Sequence, residues 1–227
     1  MSTDSAAEFA RRLGELHVDG GRVPMGRIFS LAKEFAATPP PEIEAMLDAP
    51  DHEMRVGAVS IMDFQARRGG TPESRRKELY DLYLRRHDRI NTWDLVDRAA
   101  PYVVGGYLSD RSRDPLYVLA RSEQWWERRT AIVATYYLIR HNDLDDTFAI
   151  ADLLAQDPER LVQLAVGGWV REAGKRDPER LLGFLDRHAA TMPRPALRYA
   201  VERLDPAVRQ QYLRRTGPSP GDWSGRS

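Results

Sequence analysis

Apolar residues recur along most of this chain at intervals of three and four, the spacing that gathers them on one face of a helix. Few stretches alternate in the manner of a strand. Helices are predicted over Ala6 to Val18 and Met25 to Ala37, separated by the Gly20-Gly21 turn, with Pro24 suited to a first helical position. Pro39-Pro40-Pro41 ends the second helix, and a short one follows around Ile43 to Leu47. A longer helix starts at Pro50-Asp51-His52-Glu53, with Val56, Val59, Ile61 and Phe64 as its core positions. Gly69-Gly70 closes it, and Thr71-Pro72-Glu73 opens the next as cap, rigid first residue and favourable charge. The same start signal recurs at Asp114-Pro115, Asp157-Pro158-Glu159, Asp177-Pro178-Glu179 and Asp205-Pro206. Roughly a dozen helices joined by short loops result, as expected where neighbours run antiparallel.

Met54-Arg55-Val56-Gly57-Ala58, Arg128-Arg129-Thr130-Ala131 and Gln163-Leu164-Ala165-Val166-Gly167 each set a long residue before a small one. With the helix around Trp93 they recur every ~35 to 40 residues, near the period of HEAT repeats. Stacked helical pairs of that kind make a curved solenoid whose concave face binds long partners. Thr216 to Ser227, rich in Gly, Pro and Ser, reads as a flexible tail, which leaves 1–215 as a single repeat domain.

Composition narrows the class. With 42% hydrophobic and 30% charged residues the chain reads as a folded, soluble protein. No apolar run is long enough for a bilayer and no secretory signal opens the sequence, so a cytoplasmic location without membrane association is expected. Zero cysteines exclude disulfides and thiolate metal sites, and the five histidines show no HxH or HExxH spacing. Neither metal nor cofactor is therefore expected. The formal net charge is zero, but its distribution is uneven. Residues 1–60 carry 6 Lys and Arg against 10 Asp and Glu, and residues 188–227 carry 7 against 3. A neutral total thus accommodates a basic surface beside an acidic one.

The most informative stretch is Asn91-Thr92-Trp93-Asp94-Leu95-Val96-Asp97. As a helix capped by Thr92 or Asn91 and continuing, kinked, through Pro101 to Val104, it puts Trp93 and Asp97 one turn apart on one face. Leu95, Val96, Ala99 and Tyr102 form another face for the core.

Four blocks carry a family resemblance: Asn91 to Asp97, then Trp126-Glu127-Arg128-Arg129-Thr130-Ala131-Ile132-Val133, then Ala165-Val166-Gly167-Gly168-Trp169-Val170-Arg171-Glu172-Ala173-Gly174-Lys175, then Met192-Pro193-Arg194-Pro195-Ala196-Leu197-Arg198-Tyr199-Ala200. In this order and spacing, over about residues 22 to 204, they resemble the DNA alkylation repair enzymes with HEAT-like repeats, the AlkD-type DNA glycosylases. The resemblance implies an all-α fold: a right-handed superhelical solenoid of HEAT-like antiparallel helix pairs, C-shaped, with duplex DNA in its concave cleft. It further implies a monomer that removes N3- and N7-alkylated purines from double-stranded DNA, nucleoid-associated when it acts. Trp93 and Asp97 match the tryptophan and aspartate of the family's WDLVD block, and Arg129 matches its cleft arginine. The family's cleft tryptophan aligns with Gly168, whereas this chain has Trp169 one residue later. One helical step turns a side chain by about 100°, so either the helix is locally distorted or Trp169 packs between helices and leaves the cleft wider. Helical geometry favours the second.

Alkylation at N3 or N7 makes a purine cationic and a good leaving group. What remains is to stabilise positive charge building on the sugar, a task for a carboxylate such as Asp97. Indole faces attract cationic groups, so Trp93, with Trp125 or Trp126 and Trp169, are candidates to flank the deoxyribose. Arg129 is the candidate for a phosphate, joined by Arg194 and Arg198 at i and i+4. Each has a plainer alternative. Tryptophans at helical spacing serve as core, Asp97 could pair with Arg98 or Arg129, and Arg194 and Arg198 could form structural salt bridges. Arg171 and Glu172 read as an interhelical brace. The alternative function is a non-catalytic HEAT-like protein that binds DNA or another protein.

Overall fold

The computed structural model describes residues 4–17 and 21–215. The expected helix end at Val18, Gly20 of the expected turn, and the expected tail at 216–227 lie outside the described residues. Every regular element among the described residues is helical. The chain divides into two compact units, which meet between Arg111 and Ser112.

The first unit contains α1 (Ser5–Leu16), α2 (Met25–Glu34), α3 (Pro40–Asp48), α4 (His52–Arg67), α5 (Glu73–Arg85), α6 (Trp93–Ala99), a π-helix (Ala100–Gly105) and α7 (Gly106–Leu108). Helix α4 is its centre. It packs against α2, α3, α5, α6 and the π-helix, and it buries Val56, Val59 and Ile61 as its spacing predicts. Phe64 stays half-buried because the Arg98 side chain lies over it. The second unit contains α8 (Asp114–Leu119), α9 (Trp125–Arg140), α10 (Asp145–Leu154), α11 (Arg160–Gly174), α12 (Pro178–His188), α13 (Arg194–Ala200) and α14 (Pro206–Arg214). Here α11 is central, packed against α9, α10, α12 and α13.

Several boundaries differ from the sequence reading for local reasons. Pro24 sits one position before α2, at its cap, and Pro40 and Pro41 begin α3 instead of merely ending α2. Both outcomes suit a residue without an N–H to offer. Thr71 does not cap α5. Its hydroxyl donates to the Gln65 carbonyl at 2.7 Å and so satisfies the end of α4. Asp177 and Asp205 do cap α12 and α14, with the following proline at the first helical position. At Asp157-Pro158-Glu159 the cap is Glu159, one step later, and Asp157 is drawn away into an ion pair with Arg128.

The helix expected to kink at Pro101 instead widens there. Proline has no N–H and its ring clashes with the carbonyl four residues back. The backbone answers with a π-helix over Ala100–Gly105, in which the Gly106 N–H reaches the Pro101 carbonyl five residues earlier.

Candidate active site

The start of α6 is fixed by α4. Arg55 Nη1 donates to Asn91 Oδ1 at 3.1 Å and to the Arg89 carbonyl at 3.2 Å, and Asn91 Nδ2 donates to the Asp88 carbonyl. Thr92 occupies the cap position, yet its hydroxyl donates to Asp94 Oδ1 at 2.7 Å instead of closing a backbone cap. Asp94 Oδ2 accepts from His52 Nε2, also at 2.7 Å. Burial alone would raise the Asp94 carboxyl, but the Thr92 and His52 hydrogen bonds outweigh it and hold the group below its ordinary range. This Thr92–Asp94–His52 chain was not legible beforehand, because His52 stands 42 positions from its partner.

With its neighbours so engaged, Trp93 projects outward and is 53% exposed. Within the first unit it borders a cleft of about 790 Å³, together with Val23, Met25, His52 and Asp94. Leu95, Val96 and Ala99 are fully buried, and Asp97, one turn after Trp93, is half-buried. The expected division of this helix into a core face and a second face carrying the indole and the carboxylate therefore holds. Arg98 turns away from that second face. Its Nη1 lies 2.9 Å from the fully buried Asp63 and its Nε donates to Ser60 Oγ at 3.1 Å. Its guanidinium also lies between two rings, 4.6 Å from Phe29 and 4.8 Å from Phe64. Arg67 holds the other side of Asp63 through Nε at 2.7 and 2.8 Å and stacks on Tyr102 of the π-helix at 3.7 Å. Burial pushes the Asp63 carboxyl up despite both cations, and it pushes Arg98 down despite Asp63.

The second unit contains the other candidates. Trp125 and Trp126 open α9, both half-buried, with rings edge to face at 5.8 Å. Arg128 grips Asp157 at 2.6 and 3.0 Å and also donates to the Ser122 and Glu123 carbonyls. Its pKa is raised by the Asp157 hydrogen bond, which outweighs burial. Arg129 is buried, and its Nη1 donates to the Leu161 carbonyl in the first turn of α11. Trp169 stacks on Tyr136 of α9, centroids 5.1 Å apart and 20° from parallel. A Cβ built on Gly168 meets nothing within 4 Å, whereas one on Gly167 would lie 2.3 Å from the Ala196 carbonyl oxygen. Arg171 reaches Glu202 and Glu172, the bracing role its sequence suggested. Arg194 donates to the carbonyls of Leu213 and Arg215 and so closes the end of α14. Arg198 is exposed.

Together, a helical chain with an outward indole and carboxylate on one short helix defines a protein that presents such groups to a large partner. The family model described as DNA alkylation repair enzyme matches residues 6–204, and the chain belongs to that family. No curated protein matches it. Membership carries a repair function with DNA as substrate.

Proposed function

We propose that this chain is a monofunctional DNA glycosylase that hydrolyses the N-glycosidic bond of cationic N3- or N7-alkylated purines in duplex DNA. It would act as a monomer, without metal or cofactor, its helices stacked as HEAT-like pairs in a C-shaped solenoid. The carrying observation is the exposed Trp93 one helical turn before Asp97, on the face that Leu95, Val96 and Ala99 leave to solvent.

In this reading the Asp97 carboxylate stabilises the oxocarbenium-like sugar as the base departs with the bonding electrons, and it orients the water that adds to C1′. The base is already cationic, so no acid is needed to protonate it. Trp93 lies against the deoxyribose, where an indole face favours developing positive charge. Trp125, Trp126 and Trp169 contribute aromatic surface from the second unit. Among the cations, exposed Arg198 is best suited to a phosphate. Arg129 and Arg194, engaged with backbone carbonyls, support the surface from beneath.

A second reading, a family member that binds DNA without cleaving it, is favoured by Gly168 and by the inward Arg129. Release of alkylated purines from methylated duplex DNA separates the two. Wild type is expected to release base, and Asp97→Asn to slow release at least about a hundredfold with DNA affinity nearly intact, since it removes charge at constant shape. Absence of release by wild type that still binds DNA would favour the second reading.

A further inference from the structure

Helix α6 has fewer than two full turns and is docked on its inner side by Leu95, Val96 and Ala99. Apolar contact of this kind is non-directional and leaves a short helix free to roll about its axis. Directional contacts set the angle. Those at Asn91 and Asp94 act on the entry to the helix. Arg98 acts further along, at the residue next to Asp97. Its guanidinium is satisfied only where it meets the fully buried Asp63, the Ser60 hydroxyl, and the faces of Phe29 and Phe64 at once. A buried cation displaced from such an arrangement leaves an uncompensated Asp63, so the roll angle is strongly specified. Arg67, on the other side of Asp63, holds Tyr102 and fixes the stretch just beyond.

We infer that Arg98 is a positioning residue, whose contacts with Asp63, Ser60, Phe29 and Phe64 set the rotation of α6 and thereby the aim of Trp93 and Asp97. Its catalytic consequence rests on the proposed role of Asp97. The geometric claim stands apart from that role.

The test uses the full chain labelled with 5-fluorotryptophan, whose five tryptophans give five fluorine resonances, that of Trp93 being assigned with Trp93→Phe. Arg98→Lys retains the charge and loses the fork and the ring contacts. Ser60→Ala removes one hydrogen bond and serves as the milder variant should Arg98→Lys fold poorly. Both are expected to move or broaden the Trp93 resonance while the other four hold. At saturating DNA, base release by Arg98→Lys should slow about ten- to a hundredfold with KM changed less than about twofold, because misaiming a catalytic group by an ångström costs that much. Unchanged Trp93 resonance and unchanged rate in both variants would overturn the inference. So would displacement of all five resonances with equal losses of rate and DNA binding, the mark of a merely structural residue. If wild type releases no base, the glycosylase reading falls and the fluorine spectrum alone decides: a selective Trp93 shift supports the positioning role, and its absence overturns it.

Discussion

At the scale of single residues, the chain separates charges that look alike in sequence. Glu127, Arg128 and Arg129 read as a solvated face, yet Arg128 is locked to Asp157 and Arg129 is buried against Leu161. Their partners stand about thirty positions away, and no local pattern announces a long-range pair. Trp93 and Asp97 were legible because the apolar spacing of Leu95, Val96 and Ala99 fixes which face is left over. His87 supplies a residue-scale prediction. It is 3% exposed, set edge-on to Tyr83 at 5.0 Å, and burial lowers its pKa from 6.5 to about 4 against the opposing charge of Asp88. The native state favours the neutral ring, and unfolding lets the ring take up a proton near pH 6.5. Its stabilising contribution is therefore full above about pH 6.5 and lost as pH falls towards 4, roughly 3 kcal/mol at most. Thermal melts across this window should show a steep acid decline in wild type, flattened in His87→Phe. An equal slope in both would place the acid sensitivity elsewhere.

At the scale of elements, Pro, Gly and Asp made most helices readable, since each acts on its own backbone. Where a side chain had a rival partner the reading failed: Thr71 serves the end of α4, and Thr92 serves Asp94. The π-helix was also invisible, for Pro101 signals an interruption without saying whether the helix bends or widens. Trp169 is resolved at this scale, its stacking on Tyr136 being the interhelical packing that one helical step past Gly168 makes available. The adjacent glycines of α11 make a matched pair for experiment. Gly167→Ala drives a methyl into the Ala196 carbonyl and against Tyr199 Cβ at 2.8 Å, so urea unfolding should show a loss of about 1–3 kcal/mol. Gly168→Ala meets open space and should stabilise by about 0.5–1 kcal/mol through helix propensity alone. Equal effects would mean that α11 and α13 are not in close contact at Gly167.

At the scale of the molecule, each unit is organised around one buried helix, α4 in the first and α11 in the second. Both carry the outer elements from which the candidate residues project. A net charge of zero leaves DNA binding to a few placed cations, so affinity should depend on salt less steeply than for a strongly basic protein. Arg198→Ala is expected to weaken binding to alkylated and plain duplex alike and to reduce the slope of log affinity against log salt by about 1. An unchanged slope would remove Arg198 from the DNA-contacting set. The widened turn at Ala100–Gly105 bears on what changes this chain tolerates. A π turn accommodates about one residue more than the α turn it replaces, so it works as a phase shifter between α6 and Gly106–Leu108. Removing any one residue there would restore ordinary winding and swing the following segment by about 100°. Between Asp97 and Leu108, the number of residues is constrained more tightly than their identity.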